Sequence, residues 1–151
     1  MTLTQPPRSV RNNNPGNLRS GIRWDGLSAI QSDPEFCVFI TPKMGFRALA
    51  IDIYHNWQGQ DAGQKTITRI INKFAPPSEN NSAAYAKAVA DMMGTATGIQ
   101  LNLDDNAQLR AMCRAIAVYE AGGWFFSQTD LDEGIRLARL TIDPPEPAAI
   151  V

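Results

Sequence analysis

One stretch of the chain, residues 109–123, reads LRAMCRAIAVYEAGG. Its apolar residues recur at i, i+3, i+4, i+7 and i+8, the spacing of one helix face, and they are Leu109, Met112, Cys113, Ile116 and Ala117. Glu120 continues this stripe, and two glycines end the predicted helix directly after it. An acid on a core-facing stripe is partly withdrawn from water, which favours its protonated form and suits it to general acid catalysis. The alternative is a glutamate that the helix end exposes to solvent.

The composition indicates one compact domain. The chain has 151 residues, 44% of them hydrophobic, and its last residues are rich in proline. We therefore expect a single domain over residues 1–143 and a flexible tail over residues 144–151. The formal net charge of −1 argues against a strongly basic nucleic-acid-binding protein. The sequence has no apolar segment typical of a secretion signal or a membrane span, so we expect synthesis in the cytoplasm. We also expect a monomer.

The histidine and cysteine content disfavours several kinds of active site. His55 is the only histidine, which is too few for the usual zinc sites, so we expect no metal. Cys37 lies in an alternating apolar run and Cys113 lies on the apolar stripe. Both are predicted to be small buried residues rather than nucleophiles or disulfide partners. We expect no cofactor.

Hydrophobic spacing predicts a short β-rich start followed by helices. Residues 17–23 and 36–40 are predicted as two strands of a small antiparallel sheet. Helices are predicted at about residues 41–57, 67–74, 82–93, 105–121 and 129–141. Their expected N-caps include Thr41, Ser82, Asp104 or Asp105, and Thr129 or Asp130. The predicted fold class is therefore mainly α, with a small antiparallel β-sheet (α+β).

Several short motifs together resemble a phage-associated family of cell-wall lytic proteins. They span residues 11–127 and include NPGNLR at 14–19, WDG at 24–26, FCVF at 36–39, GFRALA at 45–50 and APPSEN at 75–80. Members of this family are virion or lytic proteins related to lysozyme-like transglycosylases. The resemblance implies a lysozyme-like catalytic domain that cleaves the glycan strands of peptidoglycan. It also implies action in the periplasm, either on the cell wall as an endolysin or from a phage particle.

A looser resemblance is to bacterial autolysin-type glucosaminidases. These enzymes carry a helix ending in Glu-Ser, then an Asn-Leu-Phe strand, a Phe-x-x-Tyr strand and a Tyr-Ala-Thr-Asp-Pro segment. Residues 17–19, 36–39 and 74–77 follow the same order here, but the helix with Glu120 comes last, as in a circular permutation. The chain departs from the pattern at Phe74, which replaces a tyrosine, and at Ala121, which replaces a serine.

The chemistry implied by these resemblances needs at least one acid. Cleavage of a β-1,4 glycosidic bond requires protonation of the leaving oxygen and stabilisation of an oxocarbenium-like transition state. A lytic transglycosylase can use one glutamate, and Glu120 suits that role. A hydrolytic muramidase or glucosaminidase usually needs a second carboxylate, for which the candidates are Glu79, Asp25, Asp33 and Glu35. Glu79 has an alternative structural role in capping the helix at Ser82.

Polar and aromatic residues are candidates for binding the glycan. We expect substrate contacts from Asn17, Arg19, Glu79, Asn80, Tyr119 and Trp124. Asn12 and Asn13 are expected only to stabilise a turn, and Trp57 is expected in the core. A non-catalytic glycan-binding module and a structural virion protein remain alternatives to an enzyme. Glu120 favours the enzyme, because neither alternative needs an acid on a core stripe.

Overall fold

The computed structural model describes residues 5–143, so the tail expected at residues 144–151 lies outside the described part. Across residues 5–143 the chain forms six helices: α1 (Arg8–Arg11), α2 (Pro42–Gln58), α3 (Ile67–Phe74), α4 (Ser82–Met93), α5 (Asn106–Ala121) and α6 (Gln128–Ile142). The five longer helices lie where the hydrophobic spacing predicts them, and the short α1 was not predicted.

Most of the helices begin at a side-chain cap. Thr66 caps α3 and Asp105 caps α5, each by accepting a backbone N–H of the first turn. Three predicted caps are wrong. Thr41 directly precedes α2, but its side chain makes no capping hydrogen bond. Asn81 rather than Ser82 caps α4, because Ser82 is buried and donates its hydroxyl to the carbonyl of Ala75. Ser127 caps α6, two or three residues before the expected Thr129 or Asp130.

The predicted antiparallel sheet is wrong, since no strand occurs in residues 5–143. The two predicted strands meet in one isolated bridge, Arg19 with Phe36, and Phe39 instead forms a bridge with Leu27, which lies outside the predicted strands. Residues 35–40 exchange backbone hydrogen bonds first with residues 18–20 and then with residues 26–28. The chain bends at Gly21, between these two partners, and at Gly26, where the second partner begins; their φ angles are 134° and 84°. A segment that changes partner after each short contact cannot form a continuous ladder, so the described fold is all-helical.

Helix α2 lies at the centre of the core. It packs against α3, α5 and α6, and most of its residues are buried. Trp57 near its end is buried as predicted, and its indole N–H donates to the carbonyl of Leu101 at 2.8 Å. Gly134 lets α6 approach closely, because a Cβ there would lie 2.5 Å from the Cβ of Phe46. Gly45 does the same for the N-terminal loop, where a Cβ would lie 2.0 Å from the carbonyl oxygen of Asn13.

Candidate active site

A cleft with a volume of about 330 Å³ opens where the C-terminal end of α5 meets two loops. One loop contributes residues 16–19, and the other contributes residues 75–80 after the end of α3. The cleft is lined by Gly16, Asn17, Leu18, Arg19, Phe36, Asp52, Lys73, Phe74, Ala75, Pro76, Glu79, Asn80 and Glu120. The structure therefore brings together five of the residues predicted from the sequence, Glu120, Asn17, Arg19, Glu79 and Asn80.

The first of these loops is built by asparagine side chains. Asn14 is fully buried, and its amide donates to the carbonyls of Leu18 and Cys37 at 3.0 and 2.9 Å. Its Oδ1 also accepts the backbone N–H of Leu18 at 2.9 Å. Asn13 donates to the carbonyl of Phe39 at 3.0 Å, so it serves the loop as expected. The bonds from Asn14 fix the backbone of Leu18, directly after Asn17.

Asn17 contacts Glu120 directly. Its Nδ2 donates to Glu120 Oε1 at 2.9 Å, a bond between residues 103 positions apart in the sequence. Asn17 has a φ of 47°, a left-handed conformation that asparagine tolerates better than most residues. Its Oδ1 is buried and accepts no hydrogen bond within the described part of the chain. The half-buried Glu120 is thus held at the cleft by a fixed donor, beside an acceptor that a ligand could use.

Tyr85 on α4 lies behind Glu120 and was not predicted as a site residue. Burial raises the pKa of its hydroxyl well above the usual value, and the neighbouring Glu120 carboxylate raises this pKa further. The hydroxyl makes no well-formed hydrogen bond to any residue that the structure describes. Tyr119 stacks on the Tyr85 ring, with their centroids 3.8 Å apart. Tyr119 therefore supports the residue behind Glu120 and does not line the cleft as predicted.

Asp52 on α2 is a second acid in the cleft, and the sequence analysis missed it. It is half-buried and makes no hydrogen bond or ion pair through its side chain within residues 5–143. Burial raises the pKa of its carboxyl, and the charge of His55 one turn later opposes this to a smaller extent. Like Glu120, Asp52 is an acid that continues a buried helix stripe, because it follows Gly45, Ala48 and Leu49 at helical spacing. The same sequence signal could therefore have identified it.

Arg19 and Glu79 join the two cleft loops. An Arg19 Nη2 atom lies 3.5 Å from Glu79 Oε2, and Arg19 also lies 3.7 Å from Glu35. The Arg19 guanidinium carbon is 5.1 Å from the centre of the Phe36 ring. Glu79 does not cap α4, since Asn81 does so. Asn80 donates weakly to the carbonyl of Pro76 at 3.4 Å, within its own loop.

The other predicted residues lie elsewhere. Trp124 is partly buried against the core, with its ring 6.2 Å from that of Phe46, so it does not border the cleft. Three acids considered as second carboxylates are also absent from the cleft lining and are engaged in ion pairs. Asp25 pairs with Arg47, Asp33 pairs with Arg8, and Glu35 pairs with Arg8 and Arg19.

Both cysteines are buried and free of disulfide bonds, as the sequence predicted. Burial raises the pKa of the Cys113 thiol, which disfavours the reactive thiolate. Over residues 5–143, no group of three or more histidine, cysteine, aspartate or glutamate side chains could hold a metal ion. Among the described helices, none has both the length and the apolar character needed to span a bilayer.

Comparison with known proteins finds similarity to a phage protein. No protein-family model matches the chain. The chain is 33% identical over 104 residues to Protein P5 of Pseudoalteromonas phage PM2. The matched region covers 66% of this chain and 64% of that protein, so the chain spans slightly less than two thirds of its relative. A similar protein thus occurs in a phage, whereas the resemblance to cell-wall lytic proteins stays a prediction.

Proposed function

We propose that this protein cleaves the β-1,4 glycan strands of bacterial peptidoglycan, with Glu120 as its general acid/base. The observation that carries the proposal is the hydrogen bond from Asn17 to Glu120 at 2.9 Å inside the cleft. This bond joins Glu120, which the helix spacing indicated, to Asn17 of the NPGNLR motif, which the resemblance to lytic proteins indicated. Holding a half-buried acid in a defined orientation is what proton transfer to a leaving group requires.

The first candidate reaction is that of a lytic transglycosylase. Glu120 donates its proton to the glycosidic oxygen as the bond from that oxygen to the anomeric carbon breaks. The resulting Glu120 carboxylate then takes the proton of the sugar's own 6-hydroxyl, whose oxygen bonds to the anomeric carbon. This closes a 1,6-anhydro ring and returns Glu120 to its acid form, so no water is consumed. Asn17 keeps the carboxyl oriented through both proton transfers.

Hydrolysis by a muramidase or glucosaminidase is the second candidate, and Asp52 favours it. A carboxylate in the same cleft could activate a water molecule or attack the anomeric carbon, while Glu120 protonates the leaving oxygen. The product would then carry a reducing end rather than an anhydro ring. Glu79 also lines the cleft and stays a candidate for the second carboxylate, although it is exposed and paired with Arg19. Asp25, Asp33 and Glu35 lack this support because they do not line the cleft.

The site of action proposed here is the cell wall, reached in the periplasm or from a phage particle. The phage origin of the similar Protein P5 supports the second route of delivery. The alternatives of a glycan-binding module or a structural virion protein would use the same surface without turnover. Binding to sacculi without release of soluble fragments would favour them over an enzyme.

Replacement of Glu120 by glutamine tests the proposed function. We expect Glu120→Gln to lower the release of muropeptides from purified Gram-negative sacculi by at least about a hundredfold, because general acid catalysis is lost. Its melting temperature should equal or exceed that of the wild type, since a neutral isostere is easier to bury. Turbidity loss measures the rate, and mass spectrometry distinguishes anhydro products from reducing products, which are heavier by one water.

Asp25→Asn is the matched control, because Asp25 is an exposed acid outside the cleft. Its activity should stay within about tenfold of wild type, a change of at most about 1.4 kcal/mol in the barrier. Wild-type activity in Glu120→Gln would refute the assigned role of Glu120.

A further inference from the structure

The ion pair between Arg19 and Glu79 is the one charged contact that connects the two loops of the cleft within the described residues. Their side chains are 55% and 53% exposed, and the nitrogen and oxygen atoms are 3.5 Å apart. Exposed pairs of this kind add little to stability, because water screens the charges and both side chains lose rotamer freedom. The pair can therefore open at small cost.

Arg19 is better fixed than Glu79. Its guanidinium lies over the Phe36 ring and has a second acidic neighbour, Glu35, on its own side of the contact. Glu79 has no ion-pair partner other than Arg19 in residues 5–143. When the pair opens, Glu79 is thus the partner expected to leave, and Arg19 stays at the cleft with an available guanidinium edge.

The remaining charges of the cleft determine what could replace Glu79. Arg19 and Lys73 are its cationic lining residues, and Lys73 forms no ion pair within the part of the chain that the structure describes. The other charged lining residues, Asp52 and Glu120, are acids and would repel an anion. Lys73 adds positive charge to the cleft as a single point charge, whereas the planar guanidinium of Arg19 can bind a carboxylate through two hydrogen bonds, so we expect Arg19 to hold the anionic group of a ligand.

We propose that Arg19 exchanges Glu79 for a carboxylate of the substrate, so that the cleft selects glycan strands with acidic substituents over neutral ones. In the absence of substrate, Glu79 occupies this position and acts as an internal competitor. This inference rests on the proposed cleavage of glycan strands and specifies the chemical class of substrate for the same cleft.

The experiment compares two forms of one substrate. Soluble peptidoglycan fragments with their natural carboxylates are one form, and the same fragments with those carboxylates converted to methylamides are the other. We expect the wild type to show a kcat/KM about tenfold higher on the carboxylate form, carried mainly by KM. Arg19→Gln should reduce this preference to about one, mainly by raising KM on the carboxylate form.

Two further variants complete the experiment, one at Glu79 and one at the nearby Arg23. Glu79→Gln removes the competitor and should raise kcat/KM on the carboxylate form by up to about fivefold. Arg23→Gln is the matched control, because Arg23 is an exposed arginine of the same N-terminal region that does not line the cleft. It should retain the full preference of the wild type.

The outcomes separate this inference from the proposed function. If the wild type cleaves both forms equally, or if Arg19→Gln keeps the preference, the inference is wrong while glycan cleavage stands. If Glu79→Gln weakens cleavage as much as Arg19→Gln does, Glu79 binds substrate itself and the exchange is refuted. If the wild type cleaves neither form, the proposed function fails as well.

Discussion

At the scale of single residues, Asp33 is an acid that stabilises the fold and does not line the candidate active site. Arg8 donates two hydrogen bonds to its carboxylate, at 2.6 Å each, and Asn12 donates a third at 2.9 Å. The backbone N–H groups of Glu35 and Phe36 donate to its Oδ1 as well. With Arg8 as the main cause, these donors hold the pKa of the Asp33 carboxyl well below its usual range.

This low pKa predicts a stability that depends on pH. The folded state keeps Asp33 ionised where the unfolded chain already binds a proton, so the stabilisation is complete above the unfolded pKa of about 3.9. It is lost progressively as the pH falls below that value. Asp33→Asn should therefore lower the urea midpoint at pH 7, and the difference from wild type should narrow below about pH 4.

The exposed acid Asp25 provides the comparison for Asp33. Its contact with Arg47 is a single one at 3.4 Å, and its side chain is 79% exposed. Asp25→Asn should change the free energy of unfolding by no more than about 0.5 kcal/mol. A difference between wild type and Asp33→Asn that stays constant from pH 7 to pH 3 would contradict the assigned role of Asp33.

At the scale of elements, the sequence predicted the helices well and the strands badly. The bounds of α3 were predictable because its apolar residues, its Thr66 cap and the following Pro76 are all local signals. The extended segments cannot be predicted from local signals in this way, because a strand forms only where a partner segment runs alongside it. Bends at Gly21 and Gly26 remove that partner, and their φ angles were not evident from the sequence.

The packing of α6 against α2 gives a prediction for Gly134. A Cβ at this position would lie 2.5 Å from Phe46 Cβ and 2.8 Å from the carbonyl oxygen of Lys43, so α2 would have to shift. Alanine has a helix propensity about 1 kcal/mol better than glycine, but overpacking typically costs about 1–3 kcal/mol. We expect Gly134→Ala to lower the free energy of unfolding by about 1–2 kcal/mol in urea titrations.

Gly98 is the matched control for this substitution. It lies in the loop between α4 and α5, and a Cβ there would meet no atom within 4 Å. Gly98→Ala should leave the free energy of unfolding within about 0.5 kcal/mol of wild type. If Gly134→Ala proved as stable as wild type, α2 and α6 would have more freedom to separate than the contacts indicate.

At the scale of the whole molecule, the cleft combines segments from nearly the full length of the described chain. Glu120 was predictable because it continues a local stripe, and the two loops were predictable from the order of their motifs. Asp52 could not be predicted from the main apolar stripe of α2, which contains Phe46, because Asp52 lies on a neighbouring face of that helix. Trp124 was misplaced because its ring packs towards Phe46, after the chain turns at Gly122 with a φ of 77°.

Asp52 also distinguishes the two candidate reactions. If Glu120 works alone, Asp52→Asn should keep the release of muropeptides within about tenfold of wild type, with anhydro products unchanged. This is the outcome that we expect for the transglycosylase route. Asp91→Asn is the control for Asp52→Asn, because Asp91 is an exposed acid on α4 outside the cleft. A loss of several orders of magnitude in a folded Asp52→Asn protein, with reducing products in the wild type, would instead favour hydrolysis with two carboxylates.

Stability provides an independent measurement on the same variant. Because burial raises the pKa of Asp52, the native state at neutral pH carries a charge that is easier to hydrate in the unfolded chain. Asp52→Asn should therefore raise the urea midpoint at pH 7, and this gain should fade as the pH falls through the raised pKa and then the unfolded pKa of about 3.9. A half-buried acid that costs stability is a common feature of functional sites. If the variant gained stability and kept its activity, Asp52 would be excluded as the second carboxylate, and Glu79, which pairs with Arg19, would be the one other acid of the cleft lining besides Glu120.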